Sequence, residues 1–139
     1  MNLNIPYMET DNKLLNDAYR IAAGDIVGNI VYYQNGLLTE EKPCMIAGLD
    51  YNTPWTRDTA INIWNALSIL SPEVSKNTLL AVLEEEEGNI YIGGQYWDSI
   101  IWMIGAREYC RFHKDDNFYR LAFKAGRNSV HRLEEDEFD

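Results

Sequence analysis

Apolar residues return every three or four positions along most of this chain, the spacing of one face of an α-helix. Leu14, Leu15, Ala18, Tyr19 and Ala22 mark a first helix that starts at Thr10 or Asp11. Gly24 and Gly28 weaken its later part, and it is expected to run on to about residue 33. Residues 34–54 carry Gly, Pro and Asn instead of a periodic stripe. A connection of about twenty residues exceeds the ordinary length, so it is expected to be functional or docked on the surface. A second helix begins near Pro54, either with Thr53 as cap and Pro54 in the first turn or with Thr56 capping a later start. Its stripe is Ala60, Ile63, Trp64, Leu67 and Leu70.

Ser71-Pro72-Glu73 ends that helix and opens a third. Ser caps, Pro fits the first turn, and Glu complements the helix dipole. Val74, Thr78, Leu79, Val82 and Leu83 follow, ahead of an acidic run at 84–87. Residues 88–95 read as a glycine-rich loop, in which Asn89-Ile90-Tyr91-Ile92 is the one strand candidate. A fourth helix is expected from Trp97 or Asp98 to His113. Its first half is apolar almost all round, which predicts burial on most sides. A fifth follows Lys114-Asp115-Asp116, with Tyr119, Ala122, Phe123, Gly126, Val130 and Leu133 on one stripe. The expected fold class is all-α: about five helices in antiparallel hairpins, in one domain spanning residues 1–139.

Composition sharpens this. The chain is 46% hydrophobic and 12% aromatic, which places it among globular proteins. Its net charge of −10 is local, because residues 84–87 and 134–139 hold nine of the 22 acidic residues and the remainder nearly balances the 12 basic ones. No basic stripe is present to neutralise phosphates, so nucleic acid is not an expected partner. No apolar run is long enough for a membrane span, and Met1-Asn2-Leu3-Asn4-Ile5-Pro6 lacks a secretion signal's basic start and apolar core, so a cytoplasmic protein is expected. Cys44 and Cys110 match no metal spacing and are expected to be buried thiols. No phosphate-cradling loop or metal motif is visible, so no cofactor and no metal is expected. His113 and His131 lie near helix ends, where stabilising the helix C-terminus is their expected role.

Two segments carry candidate chemistry. Trp55-Thr56-Arg57-Asp58 closes a loop and opens a helix, bringing an indole, a cation and an anion into one small volume. A sugar needs this set: charged groups hold its hydroxyls, and an aromatic plate packs on its C–H face. The plainer reading is that Asp58 complements the dipole in a first turn, Arg57 pairs locally and Trp55 joins the core. Gly93-Gly94-Gln95-Tyr96-Trp97-Asp98-Ser99 repeats the theme, with Asp98 as a simple helix cap and the aromatics as core in the plainer reading. Two such junctions say more than either alone.

Residues 51–64 resemble the loop-to-helix segment of the six-hairpin glycosidases, in which a Trp-X-Arg-Asp motif stands at this kind of junction in glucoamylases and in glycogen-debranching-like and trehalase-like sugar hydrolases. Here it is Trp55-Thr56-Arg57-Asp58. Tyr96-Trp97-Asp98-Ser99-Ile100-Ile101-Trp102, then Ala106-Arg107-Glu108-Tyr109 and Asp115-Asp116-Asn117-Phe118, look like the next inner helix and hairpin of that family. The resemblance covers residues 47–123. It implies an (α/α)6 toroid, with Arg57 and Asp58 gripping the terminal sugar, Trp55 as a wall, and Trp97 and Asp98 lining the same pocket.

The chain departs from that pattern in size. Twelve helices need at least about 180 residues, and 139 are present. The chain therefore looks like the front part of such a hydrolase, one expected to be inactive as it stands; the alternative is a non-catalytic helical module that binds carbohydrate or protein. Inverting hydrolysis needs two carboxylates roughly 6.5–9.5 Å apart. No such pair is identified, so the catalytic residues are unknown. The 84–87 and 134–137 clusters read as solvated surface, and Glu108 is a remote candidate. An incomplete toroid would expose Trp64, Trp97, Ile101 and Trp102, so self-association through helix faces is expected.

Overall fold

The computed structural model describes residues 5–137. Helix α1 (Lys13–Gly28) is capped by Asn12, whose side-chain oxygen accepts from the amides of Leu14 and Leu15. The helix starts two or three residues later than expected from Asp11 or Thr10, and Thr10 instead donates to Asn16 from outside the first turn. It also stops before residue 33. The β-branched and aromatic run Ile30-Val31-Tyr32-Tyr33 favours extended backbone and forms β1 (Ile30–Tyr33). β1 pairs antiparallel with β2 (Lys42–Met45), from Ile30 opposite Met45 to Tyr33 opposite Lys42. Pro43 is tolerated in β2 because the two-stranded sheet leaves it on an edge.

Residues 56–70 form one helical stretch, α2. It begins as α-helix (Thr56–Asn62), passes through a π-helical segment (Ile63–Leu67) and closes with a short turn (Ser68–Leu70). Ser71 then caps α3 (Pro72–Ala81) through its hydroxyl oxygen, which accepts from the Val74 amide, and Pro72 stands in the first turn as expected. The acidic run does not extend that helix. It forms β3 (Leu83–Glu86), which turns through Glu87 (φ 50°) and Gly88 (φ 79°) into β4 (Asn89–Ile92). Two consecutive left-handed residues are what a two-residue hairpin of this hand requires. Helices α4 (Trp97–Phe112) and α5 (Asp116–Glu137) complete the order.

The all-α expectation, and the toroid of helical hairpins with it, is therefore corrected. Among the described residues 59% are helical and 12% are in strands, in five helices and two small antiparallel sheets, an α/β mix. Strands of four residues show too few positions for alternation to stand out, and both sheets lie next to segments with a strong helical period.

The core is built around α4. Trp102 is fully buried, packs near Phe118 with ring centroids 6.4 Å apart, and donates its indole N–H to the Leu79 carbonyl across 3.3 Å. Ile63, Leu67, Val74, Leu79 and Leu83 close around it. Helices α2 and α4 approach so closely that a Cβ on Gly105 would lie 2.8 Å from the Ala60 Cα. Trp102 thus belongs to the core and not to an exposed face, whereas Trp64 and Trp97 are exposed and Ile101 is half-buried. The first half of α4 is not sealed on most sides either, since Ile100 and Ile104 also reach solvent.

The 34–54 connection is docked: the Leu37 amide donates to the Leu80 carbonyl, the Met45 amide to the Thr78 hydroxyl, and Asn77 to the Pro43 carbonyl. Gly36 is required at its contact with α3, because a Cβ there would lie 2.5 Å from the Leu80 carbonyl oxygen. Helix α1 buries no residue at all.

Candidate functional site

The two junctions singled out by the sequence meet. Thr56, the first residue of α2, donates its hydroxyl to the Gly93 carbonyl across 2.9 Å, 37 positions along the chain. This buried bond draws the start of α2 against the 93–98 loop. Gly94 sits at φ +106°, in backbone space that a side chain rarely adopts. A Cβ there would also lie 2.8 Å from Asp98 Oδ2 and 3.0 Å from Thr56 Oγ1. Asp98 Oδ2 accepts from the Gln95 amide at 3.0 Å, which closes the loop onto the first turn of α4. Tyr96 follows in the left-handed region at φ 35°.

Between these elements lies a cleft of about 660 Å3. Trp55 and Arg57 line it from the α2 side, Trp97 and Asp98 from the α4 side. The indoles are open to solvent, 49% exposed for Trp55 and 73% for Trp97, and Tyr51 steadies Trp55 edge-on at 5.2 Å between ring centroids. Arg57 forms no ion pair among the described residues, so its guanidinium is available to a ligand. Four of the five expected binding residues thus share one cleft. Asp58 is not among the residues that line it; it lies half-buried in the first turn of α2, where it complements the dipole.

Glu84, Gln95 and Tyr96 also line the cleft, though the sequence did not offer them as binding residues. Glu84 belongs to the acidic run, yet it lines the cleft, and its carboxylate covers Gly93 so closely that a Cβ there would lie 2.7 Å from Oε1. The signal available was the pair Gly93-Gly94 directly after an apolar strand candidate, which marks a close backbone approach.

The other candidates fall into structural roles. Glu108 is buried outside the cleft, with Arg107 and Arg111 each holding one of its oxygens, at 3.0 and 3.3 Å. His113 ends α4 and donates from Nε2 to the Ser68 carbonyl. Burial pushes the Cys44 thiol up to about 12 and raises that of Cys110, so neither is an activated nucleophile. Cys44 is buried as expected, while Cys110 is half-buried beside a groove of about 530 Å3 between α4 and α5. Among the described residues no group of three or more His, Cys, Asp and Glu side chains is placed to hold a metal ion, and no helix is long and apolar enough to cross a membrane.

The junction of α3, α4 and α5 is held by Asp115. Lys76 reaches its Oδ2 at 2.6 Å, the Phe118 amide donates to Oδ1 at 3.0 Å, and the Tyr109 hydroxyl donates to Oδ2 at 3.4 Å. The Lys76 bond, followed by the Phe118 amide, holds the Asp115 carboxyl below its ordinary range. Burial, with the Asp115 charge behind it, pushes the Tyr109 hydroxyl up to about 12. In comparison with known proteins, no family model, no curated protein and no solved structure matches this chain.

Proposed function

We propose that the cleft between the start of α2 and the 93–98 loop binds the terminal sugar of a carbohydrate, as the gripping part of a glycoside-hydrolase-like site. The observation that carries this reading is the convergence of Trp55 and Arg57 with Trp97 and Asp98, from two junctions about forty residues apart, on one open hollow. Exposed indoles offer flat faces to sugar C–H groups. Arg57 and the carboxylates of Glu84 and Asp98 offer charge-assisted hydrogen bonds to hydroxyls. The volume lies within the roughly 300–1,000 Å3 of small-molecule sites. No acid/base pair is assigned, so the role is binding and the chain alone is not expected to turn over glycosides. Two unpaired thiols suit a reducing compartment, the cytoplasm.

Ligand-observed NMR titration with simple hexoses and their disaccharides tests the reading. Arg57→Met and Trp97→Ala should each weaken binding by about tenfold or more, at unchanged melting temperature. Binding that survives both substitutions, or no binding of any sugar by the unaltered chain, overturns it.

The alternative, a module that binds protein, is favoured by different observations. Leu14, Leu15 and Ile21 stand exposed on α1, and the α4–α5 groove is apolar, with Met103, Ala106 and Phe123 in its wall. We propose that copies of the chain associate through these helix faces, which is compatible with an open sugar cleft.

A further inference from the structure

We infer that the sugar cleft is one end of a longer trough that takes a carbohydrate of two or more units. This rests on the carbohydrate reading above and extends it. A second hollow, of about 400 Å3, adjoins the first. Glu84, Gly94, Gln95 and Tyr96 line both, so the two meet across a shared saddle. Beyond it the wall passes to Tyr91, Ser129 and Arg132.

The saddle is fixed in place. Gly94 and Tyr96 both hold left-handed backbone, and Asp98 clamps the Gln95 amide between them. A non-glycine residue is rarely held in that region, and such residues cluster at ligand clamps. The turn is held by the Asp98 clamp and by the Ser99 hydroxyl, which donates to the Tyr96 carbonyl, and the Tyr96 ring, 76% exposed, is left open to a ligand from both hollows.

The second hollow has polar chemistry of its own. Ser129 is 4% exposed, and its hydroxyl oxygen accepts from the Ile92 amide at 2.8 Å. Its own proton has no acceptor among the described residues, as is also true of the buried hydroxyls of Thr59, Ser68 and Ser75, but Ser129 alone of these four lines the second hollow. Its hydroxyl proton is free to rotate toward a ligand there. Arg132 forms a rigid wall beside it, stacked 3.5 Å over the Tyr91 ring and held by both oxygens of Glu86. Two of its five N–H donors serve Glu86, which leaves others for a ligand hydroxyl. A single hexose seated beside Trp97 meets none of these groups; a second unit linked across the saddle meets them.

Ligand-observed NMR titration with glucose, galactose and mannose, set against maltose, cellobiose, lactose and maltotriose, tests the inference. At least one of the longer sugars should bind about tenfold tighter than the monosaccharide at its terminus. Ser129→Ala should remove that gain and leave monosaccharide affinity unchanged. Leu133→Trp, which fills the second hollow from a half-buried rim position, should do the same without touching the Ile92 hydrogen bond. Equal affinity for short and long sugars, or a gain that survives both substitutions, overturns the longer trough and leaves the single-sugar site standing. No binding by any sugar overturns both.

Discussion

The hydroxyl of Thr56 and the carbonyl of Gly93 meet at 2.9 Å and join the two halves of the cleft. Thr56 is 7% exposed, so little water is at hand to replace it. Thr56→Val keeps the shape and removes the donor. Leaving a buried carbonyl unsatisfied costs about 1–3 kcal/mol. Urea denaturation should show a loss of that size, together with weaker sugar binding. Unchanged stability would mean that the bond does not hold the junction.

Two glycines separate backbone strain from crowding. Gly88 and Gly94 both have positive φ, yet a Cβ on Gly88 meets nothing within 4 Å, while one on Gly94 meets Asp98 and Thr56 at 2.8 and 3.0 Å. Gly88→Ala should cost about 1 kcal/mol from conformation alone. Gly94→Ala should cost more and also impair sugar binding. Equal losses in thermal melts of the two variants would show that crowding at Gly94 is relieved.

Acid should release the junction of α3, α4 and α5. The Asp115 carboxyl is held below its ordinary value of 3.8, so its contribution to stability is present above that pH and is lost as pH falls through the folded value. Asp115→Ala should lower stability by about 1–2 kcal/mol at neutral pH and flatten the dependence below pH 4. An unaltered acid profile in the variant would refute this role.

Buried and exposed apolar residues should respond in opposite ways. Trp102→Ala removes the centre of the core and should cost about 3–5 kcal/mol. Leu14→Ser and Ile21→Ser lie on the open face of α1 and should leave chemical stability within about 0.5 kcal/mol. They should instead lower the mass seen by light scattering at tens of micromolar. A one-chain mass for the unaltered protein would end the self-association proposal.

Much of the helical frame was legible in the sequence because its signals are local. Ser71-Pro72 caps and opens α3, as their residue types dictate, whereas α4 starts at Trp97 without any side-chain cap. The strands were legible only in part. Asn89-Ile90-Tyr91-Ile92 stood out as extended, but its partner was hidden in a run of glutamates, residues that rarely favour strands. Pairing across the Glu87-Gly88 turn decided the conformation of that run. For the same reason Glu84 was read as surface: its place in the cleft depends on the hairpin and on the close approach of Gly93. Trp55, Arg57, Trp97 and Asp98 each stand at a loop-to-helix junction, but their meeting in one cleft depends on the Thr56–Gly93 contact, which local spacing does not reveal, and the half-buried position of Asp58 follows from how α2 rotates about its axis.

That rotation is set partly by the π-helical segment Ile63–Leu67, which fits one more residue into its turn than an α-helix would. The segment works as a phase shifter. Ile63 and Leu67, at its two ends, stay in the core, while Arg57, six residues before it, lines the hollow. Removing one residue there, for instance Trp64, would restore ordinary winding and swing everything upstream by about 100° around the axis. The lower half of the rod would keep its packing, and the guanidinium would face elsewhere.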